Sequence, residues 1–389
     1  MVENWFLVPK DFDEKTFLYV ATENYLRKMN VEQYGKLDTT TIFTTTACNA
    51  RCSYCFESNV KTKKHMSEDI AIDAAKYIES HMGDHIYLKW FGGEPLINPK
   101  VMNIICNYLA EKGLSYHSSM ISNGYLLNEF DEHTIRDIWK LQNIQITLDG
   151  LKDTYNSIKS YKNGDINAFD RVINNIEYLS NMGIVIQIRI NLSLENANEV
   201  ESLISFLEKR FINSKRLGIY VSPLLEGCGQ PPHTPSTKER EEIYKKYLEL
   251  EKHIVNGPLS HRYYIPALRH NQCMADSGHS SCILPDGRLS LCEHHFEDET
   301  FGTIWDDNYD MTVFDRWAER EDQKESCKNC FYYPQCFRLK QCGAKMPCTD
   351  GLLEFYKFGL KQHALRAYGN IGSRVNNAPV LDCKIHTLT

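Results

Sequence analysis

The stretch Cys48–Cys55 decides the fold of this chain; it reads Cys-Asn-Ala-Arg-Cys-Ser-Tyr-Cys and puts three thiols in one short loop. Their spacing is Cys-x3-Cys-x2-Cys, without an adjacent histidine. Zinc sites usually take four ligands in spaced pairs, so three cysteines alone fit zinc poorly. In a 4Fe-4S cluster each iron needs a ligand, commonly a Cys thiolate. Three cysteines therefore predict a cluster with one open iron, at which a small molecule can bind directly.

A strand–helix repeat extends outward from this loop. Thr39–Thr46 precedes the loop and is rich in β-branched residues, which favour a strand. After the loop, Ser67 is the predicted N-cap of a helix whose first turn holds two acidic residues. Further strands are predicted at residues 85–91, 115–122, 143–148, 184–191 and 217–223, and helices at residues 99–112, 129–140, 168–182 and 196–210.

Six strand–helix pairs predict a parallel sheet, because parallel neighbours need a crossover connection and such crossovers are right-handed. Six units make a partial barrel rather than a closed eightfold one. The predicted fold class is therefore α/β, with a partial (β/α)6 TIM-like barrel. Active sites of such sheets lie at the carboxyl ends of the strands, which is where the cysteine loop sits.

Composition and charge narrow the classes of partner. The chain has 389 residues, 42% of them hydrophobic and 24% charged, as expected of a globular protein with a sizeable core. Its net charge of −7 argues against a nucleic-acid partner held by phosphate neutralisation, and no run approaches the ~18 apolar residues of a membrane span. Fourteen cysteines without a signal peptide at the start predict a reducing, cytoplasmic environment in which thiols bind metals.

Five segments are predicted along the chain. A Gly- and Pro-rich stretch at Glu226–Ser236 marks a linker, and a charged amphipathic helix at Lys238–Val255 follows it. From Asn271 the regular period is lost and cysteines accumulate. The predicted boundaries are 1–38 for an N-terminal extension, 39–225 for the barrel, 226–269 for the linker and bridging helix, 270–350 for a cysteine-rich domain and 351–389 for a C-terminal helix and tail.

The cysteine loop resembles the motif of the radical S-adenosylmethionine (SAM) superfamily. The resemblance implies that the open iron chelates the amino and carboxylate groups of SAM. It further implies that an electron from the cluster breaks SAM into methionine and a 5′-deoxyadenosyl radical, which abstracts hydrogen from a substrate. A reductase such as flavodoxin or ferredoxin is then the expected electron-donating partner.

The segment Phe-Gly-Gly-Glu-Pro at residues 91–95 ends the second strand and resembles the GGEP motif of the superfamily. By that resemblance Glu94 holds the SAM amino group, while Gly92 and Gly93 let the backbone approach a ligand closely. Tyr54 resembles the aromatic residue that helps to seat the adenine of SAM, and packing on the cluster is the alternative.

Three polar residues on other strands are also predicted to contact SAM. Ser122 and Asn123 end the third strand, where relatives contact the SAM ribose or carboxylate; the Asn-Gly pair also suits a simple turn. Arg189 alternates with isoleucines on the fifth strand, so its charge points into the barrel and needs a partner there. The SAM carboxylate suits its fork of donors, and an internal ion pair is the alternative.

Asp149, at the end of the fourth strand, and Glu293, directly after Cys292, are candidate catalytic residues. Relatives use the first position near the substrate, and a loop-capping role is the alternative. Sulfatase-maturing relatives place an acidic base at the second position, where a carboxylate beside a cluster can accept a proton from the substrate. A solvated acidic loop is the alternative there.

Eight cysteines within residues 273–348 equal two four-ligand sets, and their order resembles the SPASM domain of radical SAM enzymes that modify peptides and proteins. The resemblance implies two auxiliary 4Fe-4S clusters with interleaved ligands; two structural zinc sites are the alternative. Five residues separate Cys336 from Cys342, more than in the SPASM pattern, so the assignment of Cys342 as a ligand is open. Cys383 is an alternative to Cys348 as the last ligand. The implied sets are Cys273, Cys282, Cys292 and Cys342 for the first auxiliary cluster and Cys327, Cys330, Cys336 and Cys348 for the second.

Together these motifs predict a radical SAM enzyme that modifies a ribosomally synthesised precursor peptide by installing a thioether or a carbon–carbon cross-link. Formylglycine formation in a sulfatase is the second enzymatic interpretation, although that class has Asp where this chain has Glu293. The third is a metal-stabilised peptide-binding protein without turnover.

Overall fold

A sheet whose first six strands follow one another in chain order forms the centre of the molecule. The computed structural model describes residues 9–13, 16–17, 20–21, 24, 36–59, 62–224, 236–259, 273–294, 299–321, 324–332, 336, 339–342 and 348–361. Neighbouring strands are parallel from the first to the sixth, which confirms the predicted barrel order. These strands are β1 (Leu37–Thr45), β2 (Met82–Gly92), β3 (Tyr116–Ser122), β4 (Leu141–Thr147), β5 (Val185–Leu192) and β6 (Leu217–Pro223).

Helices alternate with these strands, largely where hydrophobic periodicity predicted them. Ser67 caps the first helix, and its Oγ accepts a hydrogen bond from the Ile70 N–H at 3.2 Å. A short helix after β4, which the sequence did not predict, has only Tyr155 and Lys159 as fully buried residues. The helices are α1 (Glu68–His81), α2 (Pro99–Glu111), α3 (Lys152–Lys159), α4 (Ala168–Asn181), α5 (Ala197–Arg210) and α6 (Thr237–Asn256).

The connection between β3 and β4 differs from the predicted helix at residues 129–140. A 3-10 turn at Leu127–Glu129 is followed by a π-helical segment at Thr134–Ile138. The Trp139 N–H donates to the Thr134 carbonyl, five residues back, at 2.9 Å. The wider turn buries the Trp139 ring completely, and its indole N–H donates to Asn103 Oδ1 at 2.7 Å. Burial of this large ring with a satisfied N–H thus accounts for the local helix type.

The cysteine-rich region continues the barrel sheet. β7 (Ser280–Ile283) pairs in parallel with β1, and the antiparallel strands β8 (Arg288–Ser290) and β9 (Thr300–Thr303) follow. Gly287, at φ 81°, lies in the turn between β7 and β8. Helix α7 (Met311–Ala318) packs near β9, and residues 350–361 form helix α8. Because β7 extends the row of parallel strands, the second set of cysteines begins beside the first strand of the barrel.

The two faces of the sheet differ in polarity, because successive side chains of a strand point to opposite sides. One face carries the fully buried Ile146, Ile188 and Val221, which belong to the hydrophobic core. The other face carries polar side chains in register across five strands, and we name it the lumen face. Such a face suits a polar ligand better than a second layer of helices. The lumen face includes Tyr87, Lys89, Ser119, Asn143, Gln145, Thr147, Gln187, Arg189, Tyr220 and Ser222.

None of the helices in the described ranges has the length and apolar character of a membrane-spanning segment.

The first strand, β1, begins at Leu37, so its first two residues lie within the predicted N-terminal extension of residues 1–38. The five predicted domain boundaries stay predictions. Cys228, His295 and Cys383 lie outside the described residues.

Candidate active site

The loop that follows β1 carries Cys48, Cys52 and Cys55, whose thiols are free and half-buried. Burial, reinforced by the nearby Glu94 carboxylate and the other two thiols, raises the pKa of Cys48 to about 12. Burial likewise raises the pKa of Cys55 to about 11. Thiolates therefore need a compensating positive charge in this loop, and iron supplies it, since a coordinated thiol is deprotonated by the metal. The three donors thus fit an iron–sulfur cluster.

Gly92 and Gly93 pack against the backbone that leads into the cysteine loop. Gly92 has φ 117°, and a Cβ added to it would lie 2.1 Å from the Thr45 carbonyl oxygen. A Cβ on Gly93 would lie 2.3 Å from the Ala47 carbonyl oxygen. The Gly93 and Glu94 N–H groups donate to these two carbonyls at 3.1 and 2.9 Å. The glycines therefore dock β2 onto the cysteine loop, and their close approach to a ligand stays a prediction.

Glu94 is a completely buried carboxylate at the carboxyl end of β2. Its Oε1 accepts hydrogen bonds from the Ser122 hydroxyl at 2.9 Å and the Leu96 N–H at 3.2 Å, and its Oε2 accepts from the Asn123 N–H at 2.8 Å. Burial raises the pKa of Glu94 to about 7, although these hydrogen bonds act in the opposite direction. The carboxylate forms no ion pair with any described side chain, and a cationic ligand would stabilise it.

Arg189 of β5 faces the lumen, as predicted, because its neighbours Ile188 and Ile190 are buried on the opposite face. Its Nη2 donates to Ser222 Oγ at 3.1 Å. Its Nε is buried and has no hydrogen-bond partner among the described residues. The alternative of an internal ion pair therefore finds no support in the part of the chain that is described, and the guanidinium is available to an anion.

Glu94 gives the site a negative charge and Arg189 gives it a positive charge, and neither forms an ion pair with a described side chain. A ligand with both an ammonium and a carboxylate group satisfies them, and the methionine end of SAM has both groups. Asn123 does not stand free beside them, because its Nδ2 donates to Asn49 Oδ1, inside the cysteine loop, at 2.7 Å. The Ser122 hydroxyl is also engaged within the chain, because it donates to Glu94 Oε1. The residues fit SAM, while direct contacts of Ser122 and Asn123 with it stay predictions.

Tyr54 and Asp149 meet beside the cysteine loop at Lys159, a residue that the sequence analysis did not single out. The Tyr54 hydroxyl donates to Asp149 Oδ2 at 2.6 Å, and Lys159 Nζ lies 2.9 Å from the same oxygen. Asp149 Oδ1 accepts from Asn191 Nδ2 at 2.9 Å. Both carboxylate oxygens thus have partners in the chain, which supports the loop-holding alternative for Asp149. Its catalytic role, and the contact of Tyr54 with adenine, stay predictions.

The first predicted auxiliary set contains two cysteines whose pKa lies above its ordinary value, Cys273 and Cys282. Burial raises the pKa of Cys273 to about 12, with smaller contributions from Cys292 and Cys342. Burial also raises the pKa of Cys282 well above its ordinary value, and Cys292 and Cys273 contribute. Cys282 pairs in register with Thr41 of β1, on the lumen side of the sheet. The membership of Cys342 in this set stays a prediction.

A buried ion pair joins two of these ligand loops. Asp276 Oδ1 accepts from the Cys273 N–H at 2.9 Å, and Asp276 Oδ2 accepts from Arg320 Nη2 at 2.9 Å. Arg320 forms a β-bridge with Leu339, whose carbonyl accepts from the Cys342 N–H at 3.3 Å. The loops of Cys273 and Cys342 are thus held to a common support.

The second predicted auxiliary set is less fully described. Cys327 and Cys330 share one turn, in which the Cys330 N–H donates to the Cys327 carbonyl at 3.1 Å. Cys336 is half-buried and Cys348 is exposed. Their grouping stays a prediction, as does the choice between Cys348 and Cys383. Cys106, in contrast, is fully buried in the core on α2.

Glu293 lies on the lumen side, between the two cysteine loops. Its Oε2 is 2.5 Å from Nζ of Lys89 on β2. The ring of the next residue, His294, packs at an angle of 44° against that of Phe56, which directly follows Cys55, with 4.4 Å between the ring centroids. The structure therefore brings the candidate base to the cluster loop. The sequence analysis missed Lys89, although it alternates with Leu88 and Trp90 in the same way as Arg189 alternates with isoleucines.

Comparison with known proteins agrees with this geometry. The family model described as the radical SAM superfamily matches residues 42–207. A probable GTP 3′,8-cyclase of Saccharolobus solfataricus is 27% identical over 61% of this chain and 74% of its own length. GTP 3′,8-cyclase of Campylobacter fetus subsp. fetus is 29% identical over 47% of this chain and 56% of its own length.

Two solved structures share the fold across the barrel and the cysteine-rich region. Native anSMEcpe with bound AdoMet and Cp18Cys peptide is 16% identical with a TM-score of 0.64, over 87% of this chain and 99% of its own. Streptococcus suis SuiB bound to precursor peptide SuiA is 13% identical with a TM-score of 0.56, over 87% of this chain and 83% of its own. At these identities the likeness concerns the fold.

The matched region contains the cysteine loop, the GGEP segment and Arg189. Enzymes of this superfamily use a 4Fe-4S cluster and SAM, for which the thiols and the two available charges described above are suited. Residues 42–207 therefore carry a radical SAM domain, and the cysteine-rich region that follows it shares the fold of the two solved structures.

Proposed function

We propose that this enzyme modifies a ribosomally synthesised precursor peptide, from which it abstracts hydrogen to install a thioether or a carbon–carbon cross-link. The observation that carries this proposal is the position of Glu293 beside Lys89. It puts a carboxylate of the cysteine-rich region on the same polar face as the SAM-binding residues. Both solved structures named above hold peptides, which supports a peptide substrate for the shared fold.

Different residues of this chain bind the cofactor, bind the peptide and accept the proton in the proposed reaction. When bound, the cluster and SAM supply the electron and the 5′-deoxyadenosyl radical. Glu94 accepts the SAM ammonium and Arg189 donates to the SAM carboxylate, which orients the cofactor. The side chains of Asn143 and Gln145 on the lumen face bond to Tyr87 and Tyr220, and such amide and phenol groups suit peptide backbone. Glu293 then takes the proton that the substrate loses.

The auxiliary clusters have a separate task in this proposal. Cys282 lies on the lumen side of β7, next to β1, so a cluster at the first auxiliary set borders the same polar face. Formation of a cross-link removes two electrons in total from the peptide. Hydrogen abstraction would account for one electron, and Cys273, Cys282, Cys292 and Cys342 would hold an auxiliary cluster suited to accept the other, while Glu293 would take the proton.

The second candidate is formylglycine formation, which the resemblance of the fold to anSMEcpe with its Cp18Cys peptide favours. The same carboxylate, Glu293, would deprotonate a cysteine or serine of the substrate. A third candidate, GTP cyclisation, follows from the names of the curated relatives alone. A non-catalytic peptide-binding protein no longer fits, because the superfamily consists of enzymes.

One experiment separates these candidates. The anaerobically reconstituted chain is incubated with SAM, dithionite and either the peptide encoded beside its gene, a cysteine-containing sulfatase peptide, or GTP. Loss of two hydrogens from the first peptide without a new aldehyde supports the cross-link. An aldehyde at Cys or Ser supports formylglycine formation, and consumption of GTP alone overturns the peptide proposal.

A further inference from the structure

Lys159 is a completely enclosed ammonium group whose partners are all near the cysteine loop. Its side chain is 2% exposed, although lysine is rarely buried without a partner. Its Nζ lies 2.9 Å from Asp149 Oδ2 and donates to the Tyr54 hydroxyl at 2.8 Å and to Thr147 Oγ1 at 2.7 Å. Three oxygen partners satisfy all three donors of the ammonium group. The charge is therefore held in one place.

The backbone around Lys159 also holds the cysteine loop. The Arg51 N–H donates to the Lys159 carbonyl at 2.8 Å, and the Lys162 N–H donates to the Asn49 carbonyl at 2.8 Å. Helix α3 ends between these two contacts, at Ser160 with φ 43°. The end of α3 thus clamps the stretch between Cys48 and Cys52, while Tyr54 fastens the stretch between Cys52 and Cys55 to the same ammonium.

A fixed positive charge at this position acts on the cluster because Lys159 is completely buried. At a given distance, two charges interact more strongly inside a protein than in water, since the effective dielectric constant is lower. One-electron reduction adds a negative charge to a cluster, so a nearby positive charge stabilises the reduced form. Nearby charges and hydrogen bonds therefore shift the reduction potential of a cluster.

We propose that Lys159 is a positioning residue for the cluster: it fixes the Cys48–Cys55 loop through Tyr54 and Asp149, and its charge raises the cluster's reduction potential. The proposal rests on the assignment of the cluster to Cys48, Cys52 and Cys55. It does not depend on which substrate the enzyme modifies. Dithionite is the electron donor in its test, so no further reactant is needed.

The test is an EPR-monitored redox titration of the full-length, anaerobically reconstituted chain. The signal followed is the component that changes on addition of SAM, since this component reports the cluster with the open iron and leaves out the auxiliary clusters. The variants are Lys159→Met, which removes the charge, and Lys159→Arg, which keeps it. Lys152→Met is the matched control, because Lys152 lies on the same helix but pairs with Asp170 at an exposed position.

We expect the potential of Lys159→Met to move to more negative values, with Lys159→Arg close to wild type and Lys152→Met unchanged. A Lys159→Met cluster that titrates like wild type overturns the proposal, and so does an equal shift in Lys159→Arg. If Lys159→Met does not fold or take up iron, Asp149→Asn decides. That variant removes the opposing charge, so its potential should rise, and an unchanged or lowered potential overturns the proposal.

The two levels of failure are distinguishable. A wild-type chain without any SAM-responsive signal overturns the cluster assignment, and the role of Lys159 with it. A wild-type signal that the variants leave unmoved overturns the role of Lys159 alone. Thermal unfolding of each variant, measured alongside, separates a shift in potential from general loss of stability.

Discussion

Nζ of Lys89 lies 2.5 Å from Oε2 of Glu293, and this contact joins the second strand of the barrel to the loop that follows Cys292. The two residues are separated by 204 positions in the sequence. Both side chains are about one-fifth exposed, at 24% and 20%. The pair therefore borders the lumen face, where a substrate could reach both the carboxylate and the SAM-binding residues.

Replacement of Glu293 by Gln should separate the two halves of the reaction. Without a base, peptide modification should fall by about a hundredfold to ten-thousandfold, the usual contribution of general-base catalysis. Formation of 5′-deoxyadenosine should persist, because Glu94 and Arg189 are untouched. Both products can be measured in one reaction, by mass spectrometry of the peptide and chromatography of the nucleoside.

Glu299→Gln is the control for that substitution. The Glu299 carboxylate pairs with Arg316 at 3.1 Å at the start of β9, so its loss should leave both products unchanged. Full peptide modification by Glu293→Gln would show that this residue is not the base.

Arg189→Met should weaken SAM binding to the cluster-loaded protein. Loss of a charge-assisted hydrogen bond costs about 1.5–3 kcal/mol, which raises the dissociation constant about tenfold to 150-fold. Equilibrium dialysis with labelled SAM measures it. Arg210→Met, which removes a partly exposed guanidinium paired with Glu177, should bind SAM like wild type. Equal affinities of all three proteins would rule out the carboxylate contact of Arg189.

The raised pKa of Glu94 predicts a pH dependence of stability. Its pKa is about 7 in the folded chain and 4.5 ordinarily, so between these values the folded state holds more protons than the unfolded state. The free energy of unfolding should therefore fall as the pH rises through this window, by up to about 3 kcal/mol from this group. Below pH 4.5 the group is protonated in both states and contributes nothing.

Glu94→Gln removes this contribution and isolates it from those of other buried groups. Urea unfolding of the metal-free proteins at several pH values should show wild type losing stability relative to the variant between pH 4.5 and 7. Above that window the difference should be constant. Two curves that run parallel throughout would contradict the assigned pKa.

Gly93→Ala should loosen the docking of β2 onto the cysteine loop. The added Cβ would lie 2.3 Å from the Ala47 carbonyl oxygen, so the backbone must move. Such overpacking costs about 1–3 kcal/mol, and iron uptake should fall with it. Gly83→Ala, on the same strand, meets only Asp38 Oδ1 at 3.5 Å and should behave like wild type. Iron content and melting temperature test both variants, and unchanged values for Gly93→Ala would disprove the docking role.

Cys282→Ala should remove one auxiliary cluster while the SAM-responsive cluster remains. Cys282 is completely buried beside Cys292 and Cys273, so its loss should lower iron and sulfide by about one cluster's content. Cys106→Ala, also fully buried but in the barrel core, should keep the full iron content. Equal iron in both variants would mean that Cys282 is not a ligand.

Much of the barrel could be predicted from local sequence patterns. β6 has the predicted bounds of Leu217–Pro223, and the other five strands deviate only at their ends. The errors arose where long-range packing decides. The π-helical segment before Trp139 depends on where that ring is buried, and α3 buries only two side chains of polar type.

The candidate site divides in the same way. The three cysteines were identified by their spacing and the GGEP segment by its resemblance to a family motif, because each lies within a few consecutive residues. Spacing could not show that Gly92 and Gly93 pack against the backbone of the cysteine loop. Nor could it show that both carboxylate oxygens of Asp149 accept hydrogen bonds from within the chain. Those facts depend on neighbours from other strands.

By itself the sequence determined the chemistry of the donors and the order of the parallel strands, since both follow from short spacings and a regular period. Only the tertiary structure decided which charges are left for a ligand and which are paired within the chain. Glu94 and Arg189 are available, whereas Lys159 and Lys89 are each committed to a distant carboxylate. The reason is that the burial and pairing of a charge depend on contacts across the sheet, which no local pattern records.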